Sequence, residues 1–407
     1  MSRGSQMRIT AIHIQHYKSL ADVQIELSPV TVLVGPNGSG KSNVVDALRF
    51  LREAIVHGLD HAISERGGID ISRQYSPTRP YTISMDIKFE YSSLVADQVY
   101  PGHYAFKVSG SGGNHHVESE EATWINEDGH FDENRDDWVI DSVSENSLKR
   151  GKSGTVTLLS DSSSVPQKKF EVPSDQLAIG SISHFRKFGG DIVYASLASM
   201  RFASIYPNIL RAPSRPDTDK QLKEDCVNWA SVLKAMRQRK AGVKMLARIN
   251  ELMKQVMPAL EHVTVKQIGG YIVPQFLVKD TPNEKAHFFD PVQLSDGTLR
   301  LFGIFLSLYQ LPRPDFLALE EPELTIHPGL VNLLAEAFQE VSGRTQLLIT
   351  THSPYLLDHF DPSQIKVVTM QDGETKVSGI RRSQVKTVKE KLMMLSEVMA
   401  LDGLRPD

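Results

Sequence analysis

The chain has 407 residues, of which 40% are hydrophobic and 23% are charged, and its formal net charge is −4. This composition is typical of a globular protein, and the length predicts roughly two or three domains. The single cysteine, Cys226, excludes an intramolecular disulfide and favours a reducing, cytoplasmic setting. Because no run approaches the roughly 20 apolar residues of a membrane span, we expect no membrane partner. The weak net charge does not favour nucleic-acid binding, so any such surface must be local.

The N-terminal segment predicts three strands, a Gly-rich loop and a helix. We expect residues 1–6, "MSRGSQ", to be a cloning remnant and Met7 to be the natural start. "RITAIHI" and "DVQIEL" alternate apolar and polar residues, as half-buried strands do, whereas the apolar run "VTVLV" is typical of a strand covered on both faces. After the loop, five apolar residues form one helical stripe. They are Val44, Val45, Leu48, Leu51 and Ile55.

The middle of the chain predicts a β-rich lobe and then a helical one. "YTISMDIKFEY", "YAFKVSG" and "TVTLLS" indicate antiparallel strands, separated by polar loops such as "SGSGGNHH" and "NEDGHFDENRDD". A Pro-punctuated linker, "NILRAPSRPDTD", precedes two amphipathic helices, the second ended by Pro258. The apolar faces are Leu222, Cys226, Trp229, Leu233 and Met236 in the first helix, and Met245, Ile249, Leu252, Met253 and Val256 in the second. Both are too short for a coiled-coil arm.

Strands and helices then alternate towards the C-terminus. The strands "HVTVKQI" and "YIVPQFLV" precede "SDGTLRLFGIFLSLYQ" (helix), "FLAL" (strand), "GLVNLLAEAFQEV" (helix) and "QLLITT" (strand). This order predicts a mainly parallel sheet with helices packed on it. We expect five parts after the remnant: an N-terminal part of the head (7–80), the β-rich lobe (81–190), a linker and helical lobe (191–262), a C-terminal part of the head (263–382) and a tail (383–407).

The strongest motif is "GPNGSGKS", which fits the pattern G-x-x-x-x-G-K-[ST] and lies between a predicted strand and a predicted helix. In such a P-loop, backbone N–H groups and a helix N-terminus surround phosphates. Lys41 then contacts the β- and γ-phosphates, and the Ser42 hydroxyl binds Mg²⁺. The predicted phosphate-binding residues are Gly35, Pro36, Asn37, Gly38, Ser39, Gly40, Lys41, Ser42 and Asn43.

A second motif, "FLALEEPELTIHP", places carboxylates at the end of a buried strand. A phosphate-bound Mg²⁺ needs an acid on a neighbouring strand, and a hydrolase needs a group that orients or deprotonates water. We predict that Glu320 faces the metal, although an aspartate is usual there, and that Glu321 acts on the water. Glu323 is interpreted as a turn acid.

Two further segments carry polar groups at the ends of predicted elements. "LSDGTLR" opens a helix with Ser295 as N-cap, which creates a second anion site near Asp296 and Gly297. Since the P-loop already surrounds the phosphates of its own chain, this second site is free for the nucleotide of another subunit. "LLITTHSPYLL" runs an apolar strand into His352, which could donate a hydrogen bond to a γ-phosphate.

Taken in order, "GPNGSGKSN", "LSDGTLRL", "LALEEPELTIHP" and "ITTHSP" resemble the ABC-type ATPase heads of the RecF, SMC and OLD group. "YKSLADVQIEL" resembles the same group, and the stand-alone AAA ATPases of bacterial defence and toxin operons are the more similar branch. The resemblance covers about residues 7–382. It implies an α/β fold: a P-loop ABC-type head with a mainly parallel sheet, an antiparallel β-rich lobe and a helical insertion.

The resemblance also implies that ATP and Mg²⁺ are held between two copies of the chain. The homodimer, or a higher oligomer built from it, would combine Lys41 and Ser42 of one copy with Ser295 and Gly297 of the other. His352 would be the switch histidine, and His327 would lie at the dimer seam. For the glutamine of the Q-loop, Gln74 and Gln176 remain alternatives.

We therefore expect a Mg-dependent ATPase that acts as sensor or motor of a nucleic-acid-directed system, with antiphage defence as the expected setting. Too few residues follow His352 for the Toprim nuclease domain of OLD proteins, so the resemblance implies a separate nuclease-like effector. A RecF-like DNA-repair loader and an ATP-locked scaffold are the alternatives. The tail either closes the chain's own core or docks that effector.

Two basic segments are candidates for a contact with nucleic acid or phosphate. "RQRKAGVK", residues 237–244, is either a solvated turn or a contact to DNA phosphates. Arg66, Arg73 and Arg79 are candidates for a phosphate contact near the P-loop.

Overall fold

The computed structural model describes residues 7–77, 81–93, 98–132, 137–151, 154–279 and 285–407. Residues 1–6 and Arg79 lie outside these ranges. The strands are β1 Met7–Tyr17, β2 Leu20–Glu26, β3 Val30–Val34, β4 Ile83–Ser92, β5 Val99–Ser111, β6 Asn114–Asp132, β7 Asp137–Arg150, β8 Thr155–Ser160, β9 Lys168–Glu171, β10 Arg201–Ala203, β11 Leu260–Ile268, β12 Tyr271–Val278, β13 His287–Phe289, β14 Phe316–Glu320, β15 Gln346–Thr351, β16 Ile365–Gln371 and β17 Glu374–Gly379. The helices are α1 Lys41–Val56, α2 Leu59–Ser64, α3 Ile69–Ser72, α4 Asp191–Ser199, α5 Pro207–Arg211, α6 Trp229–Arg237, α7 Lys240–Val256, α8 Asp296–Tyr309, α9 Val331–Ser342, α10 Pro354–Leu357, α11 Arg382–Lys389 and α12 Leu395–Asp402.

The larger sheet is antiparallel and has the order β2-β1-β4-β5-β6-β7-β8-β9. The predicted strands are confirmed, and β1 and β2 lie in the same sheet as the strands of the β-rich region. The predicted loop "NEDGHFDENRDD" is wrong over much of its length, because β6 continues to Asp132 and β7 begins at Asp137. "SGSGGNHH" is a tight hairpin between β5 and β6 rather than a long loop. Cross-strand pairing keeps these polar segments extended.

The central sheet of the head has the order β10-β14-β15-β3-β16-β17 and is parallel except at β17. The predicted mainly parallel sheet is confirmed. Side-chain alternation divides its residues between two cores: Leu33, Ala318 and Leu348 pack in the core that contains α1, and Leu319 and Ile349 in the core that contains α8 and α9. Because β3, β14 and β15 are parallel neighbours, their carboxyl ends lie at one edge of the sheet.

The helical lobe differs from the prediction at its first helix. α6 begins at Trp229, whereas the apolar spacing predicted a helix that already includes Leu222 and Cys226. Cys226 has a φ of 63°, which a helix cannot contain, and the Asn228 side chain accepts from the N–H of Lys223 and so ties the turn together. Leu222 and Cys226 are nonetheless buried in the same core as α6. The apolar residues of this turn are therefore spaced like those of a helix because the turn is buried, although it is not helical.

The C-terminal tail contains two helices with different surroundings. α12 buries Leu395 and Val398, and its Leu395 belongs to the core of the head. α11, all of which is described, buries none of its residues. α12 thus contributes to the chain's own core. α11 packs its partly buried Val385 and Val388 against the same core and leaves its basic residues in solvent.

Among the described residues, no helix combines the length and the apolar character that crossing a membrane requires.

Gln346 connects the two sheets through buried hydrogen bonds. Its Oε1 accepts from the N–H of Ile9, and its Nε2 donates to the carbonyls of Ile9 and Ser28. We expect Gln346→Met to destabilise the protein by roughly 2–4 kcal/mol, because it leaves a buried donor and acceptor of Ile9 unpaired. Urea denaturation would measure this loss against Gln371→Met, the same change at an exposed strand end. Equal midpoints for the two variants would contradict it.

Candidate nucleotide-binding site

The loop between β3 and α1 ends in a helix N-terminus that has no side-chain cap. Gly40 is the N-cap and has a φ of 101°, a left-handed conformation that favours glycine. A Cβ atom there would lie 1.9 Å from Oγ1 of Thr375, so any other residue would also clash. Without a capping side chain, the first N–H groups of α1 are available to an external acceptor. This is the arrangement that binds phosphate at helix N-termini.

A cavity of about 790 Å³ lies against this loop. It is lined by Asn37, Gly38, Gly40, Lys41, Ser42, Asn43, Glu321, Glu323, Leu324, Thr325, Thr350, His352 and Ser353. Of the other predicted loop residues, Gly35 and Pro36 contribute carbonyl groups and Ser39 is buried. The volume is in the usual range for small-molecule sites, roughly 300–1,000 Å³. Together with the uncapped helix, it fits a nucleotide.

Three side chains from different elements meet beside this cavity. Lys41 Nζ donates to the carbonyls of Gly35 and Pro36, at 2.8 and 3.1 Å, and lies 2.8 Å from His352 Nε2. Glu321 Oε2 accepts from the backbone N–H of His352 at 3.0 Å, and Glu321 Oε1 lies 3.1 Å from His352 Nε2. The fold thus brings together the three residues that the sequence predicts as catalytic.

Burial sets the ionisation of this group. It lowers the pKa of His352, and the neighbouring positive charge of Lys41 lowers it further. The imidazole is therefore neutral at pH 7, and Nε2 can accept from Lys41. Burial also lowers the pKa of Lys41, against the opposing effect of the Glu321 charge, and raises the pKa of Glu321. These groups are thus poorly solvated, as residues that contact phosphate and water often are.

Glu323 lies in the turn after β14, as the sequence predicts. Glu323 lines the cavity, and its carboxylate accepts a hydrogen bond from the hydroxyl of Thr351. Burial and the charge of Glu321 raise its pKa. Glu321 itself has a φ of 44°, so the chain turns sharply after β14 and folds Glu323 back towards β15. That turn geometry cannot be read from local composition.

Glu320 occupies a different position from Glu321. It does not line the cavity, and its Oε1 lies 3.2 Å from Nη2 of Arg49 on α1. Across the described ranges, no cluster of three His, Cys, Asp or Glu side chains could hold a metal by itself. A Mg²⁺ ion here would depend on Ser42, a carboxylate and phosphate oxygens, which is its common mode of binding with nucleotides. The role of Glu320 as metal ligand stays a prediction.

The N-terminus of α8 is exposed, and Ser295, Asp296 and Gly297 are not among the residues that line the cavity of their own chain. The Ser295 side chain accepts from the N–H of Thr298 at 3.2 Å, which confirms it as the N-cap. Asp296 pairs with Arg211 at 2.5 Å. Gly297 packs on the segment after β14, where a Cβ atom would lie 2.8 Å from the carbonyl oxygen of Thr325. Binding of an anion from a second molecule at this helix N-terminus stays a prediction.

The remaining candidates lie away from the cavity lining. His327 is exposed, and its Nδ1 accepts from the N–H of Gly329. Gln74 contacts Glu374, and the Gln176 carbonyl accepts from Arg150, so neither is placed as the Q-loop residue. Two of the three basic candidates have acidic partners: Arg66 pairs with Asp46 and Glu53, and Arg73 with Asp70. Arg79 lies outside the described residues.

Two residues that sequence reasoning missed support the site. The Thr375 hydroxyl donates to the Ser39 carbonyl at 3.1 Å and so braces the loop from β17. Arg300 Nη2 donates to the Glu321 carbonyl at 2.9 Å and so connects α8 to the turn after β14. Both contacts join distant segments, for which a single sequence carries no signal.

The chain is similar in sequence and fold to several known proteins. A family model described as "AAA domain, putative AbiEii toxin, Type IV TA system" matches residues 30–358. The DNA replication and repair protein RecF of Corynebacterium jeikeium is 36% identical over 64 residues, which are 15% of this chain and 15% of that protein. The chromosome partition protein Smc of Desulfitobacterium hafniense is 56% identical over 45 residues, 11% of this chain and 4% of that protein. The matches thus span only a small part of either relative.

A solved Smc head, bound to the C-winged helix domain of ScpA, covers 92% of this chain and 99% of its own at a TM-score of 0.50 and 14% identity. This likeness confirms the predicted fold, an ABC-type ATPase head with a mixed α/β architecture. The family model spans most of the chain, from β3 through α10. The chain therefore belongs to the AAA-domain family that this model describes.

Proposed function

We propose that this chain is an ATP-binding and ATP-hydrolysing head that dimerises on ATP. The observation that carries the proposal is the contact of Lys41, His352 and Glu321 beside a cavity that the P-loop lines. A lysine, a neutral histidine and a carboxylate at this spacing suit phosphate binding and the orientation of an attacking water.

Bound Mg-ATP supplies the γ-phosphoryl group whose transfer to water is the proposed reaction. Lys41 binds the phosphates in exchange for its present contacts with the Gly35 and Pro36 carbonyls. Glu321 accepts a proton from the water or holds it in line, while the backbone of His352 fixes its carboxylate. Ser42 and Glu320 are the residues that would hold Mg²⁺.

Ser295→Arg tests whether α8 acts on the nucleotide of a second copy. We expect ATP binding to persist and turnover to fall to background, because a bulky cation would occupy the anion site at the seam. An equimolar mixture with Lys41→Ala should regain part of the wild-type turnover, because a mixed dimer combines the intact P-loop of one copy with the intact Ser295 of the other and so has one complete site. Steady-state phosphate release measures both. Turnover by Ser295→Arg alone, or no recovery in the mixture, would contradict action between copies.

We also propose that the head is part of a nucleic-acid-directed system, with antiphage defence as its setting. The family description, which mentions a toxin of a toxin–antitoxin system, and the local similarity to RecF and Smc support this. The α6–α7 junction adds four exposed cations: Arg237, Arg239, Lys240 and Lys244. A cluster of this kind can contact nucleic-acid phosphates without reading sequence.

The effector is proposed to be a separate nuclease-like protein that docks on the tail. α11 supports this, because its basic residues Arg382, Lys386 and Lys389 are exposed. Similarity to RecF keeps a DNA-repair loader as the second candidate function. The two functions predict different partners for the ATP-bound head. Purification of Glu321→Gln with Mg-ATP, followed by identification of the bound proteins, distinguishes them.

A further inference from the structure

Arg49, on α1, bridges carboxylates from three parts of the chain. Its Nη2 lies 2.6 Å from Glu224 and 3.2 Å from Glu320, and its Nη1 lies 3.5 Å from Asp46. The guanidinium also packs over the ring of Phe202, with 5.2 Å to the centroid. Only 18% of the Arg49 side chain is exposed. A half-buried guanidinium held on several sides is more rigid than a surface ion pair.

The three carboxylates depend on Arg49 to different degrees. Asp46 also accepts from the Tyr17 hydroxyl and pairs with Lys18 and Arg66, so it keeps cationic partners without Arg49. Within the described part of the chain, Glu320 has Arg49 as its ion-pair partner, and this contact uses Oε1. Oε2 is therefore the oxygen that remains for a second cation.

The contact between Arg49 and Glu320 also explains how this position can hold a glutamate where an aspartate is usual. Glutamate has one more rotatable bond, so its carboxylate loses more conformational freedom when it is held in one place. Arg49 lies seven residues after Ser42, two turns along the same helix, so both face the same side of α1. A guanidinium at this position can hold a longer side chain in the geometry that a shorter one would reach unaided.

We propose that Arg49 is a positioning residue for the magnesium site: it holds Oε1 of Glu320 so that Oε2 is available to the ion next to Ser42. The inference rests on the proposed function, because it takes Glu320 as the carboxylate that holds Mg²⁺. It adds a residue to which neither the motifs nor the family match assigns a role. Arg49 does not touch the nucleotide in this proposal; it acts through Glu320.

The test is the affinity for a fluorescent ATP analogue, measured with Mg²⁺ and again with EDTA. For Arg49→Met we expect the gain in affinity from Mg²⁺ to fall by roughly 10-fold, the lower end of the range for residues that orient metal ligands. Affinity in EDTA should stay within about twofold of wild type, because the P-loop is unchanged. Arg49→Lys, which keeps the charge, should recover part of the loss. Glu224→Gln is the matched control and should leave the Mg²⁺ gain unchanged, since it retains the Arg49–Glu320 pair.

A double-mutant cycle with Glu320→Asp separates positioning from general damage. The aspartate is one methylene shorter and is expected to lose the contact with Arg49, so Arg49→Met should have no further effect in that background. If Arg49→Met does not fold, Arg49→Lys replaces it in the cycle and should lose part of the Mg²⁺ gain with Glu320 and none with Asp.

Three results would overturn the inference: an unchanged Mg²⁺ gain in Arg49→Met, an equal loss of affinity with Mg²⁺ and with EDTA, or a larger Mg²⁺ gain. The last would mean that Arg49 competes with the metal. Failure of the proposed function gives a different pattern, in which the wild type and Lys41→Ala bind the analogue equally weakly.

Discussion

Lys41→Ala is expected to abolish ATP binding and, with it, ATP-dependent dimerisation. The Lys41 amine is the one side-chain cation among the residues that line the cavity on the loop side, and burial has already removed much of its water. Removing a half-buried charge that pairs with phosphate typically costs about 2–5 kcal/mol, which is roughly 30- to 5,000-fold in affinity. Titration calorimetry would measure binding, and sedimentation velocity with ATP would measure dimerisation.

Lys244→Ala is the matched control for this variant. It makes the same change at an exposed position on α7 and should bind ATP and dimerise like the wild type. Dimerisation of Lys41→Ala on ATP at wild-type concentrations would contradict the assignment of the P-loop.

Glu321→Gln is expected to bind ATP but to turn it over roughly 10²- to 10⁴-fold more slowly, the usual contribution of a general base. Glutamine has nearly the same shape, and its carbonyl can still accept from the N–H of His352, which the carboxylate does now at 3.0 Å. Binding should therefore survive while the basic group is lost. Phosphate release measures turnover, and the dimer fraction with Mg-ATP should rise. Glu336→Gln, an exposed change on α9, should behave as the wild type.

The trapped Glu321→Gln dimer also identifies what the head works with. After affinity purification from its native host with Mg-ATP, mass spectrometry should detect a nuclease-like protein in fixed ratio if the head belongs to a two-component defence system. DNA or repair proteins without such a partner would favour the repair loader. A wild-type complex as persistent as the mutant one, with negligible turnover, would favour the ATP-locked scaffold.

The contiguous parts of the molecule could be predicted from residue order alone. The loop from Gly35 to Ser42, the strand β14 and the N-cap Ser295 depend on neighbours in the chain, and their residue types suit one conformation each. The alternation of strands and helices likewise predicted the parallel sheet. Apolar periodicity predicted the start of α6 wrongly. The turn at Leu222 and Cys226 has the apolar spacing of a helix because it is buried in the same core as α6.

Sequence order by itself therefore determined the fold class and the candidate residues of the nucleotide site, because both follow from local patterns. Only the tertiary structure decided how those residues meet. Lys41 and His352 are 311 positions apart, and Arg49 and Glu320 are 271 apart. Such contacts arise because parallel strands bring their carboxyl ends to one edge of the sheet, and no spacing along the chain records them. The turn that brings Glu323 close to Glu321 has the same origin, since Glu323 is held by Thr351 of the neighbouring strand β15.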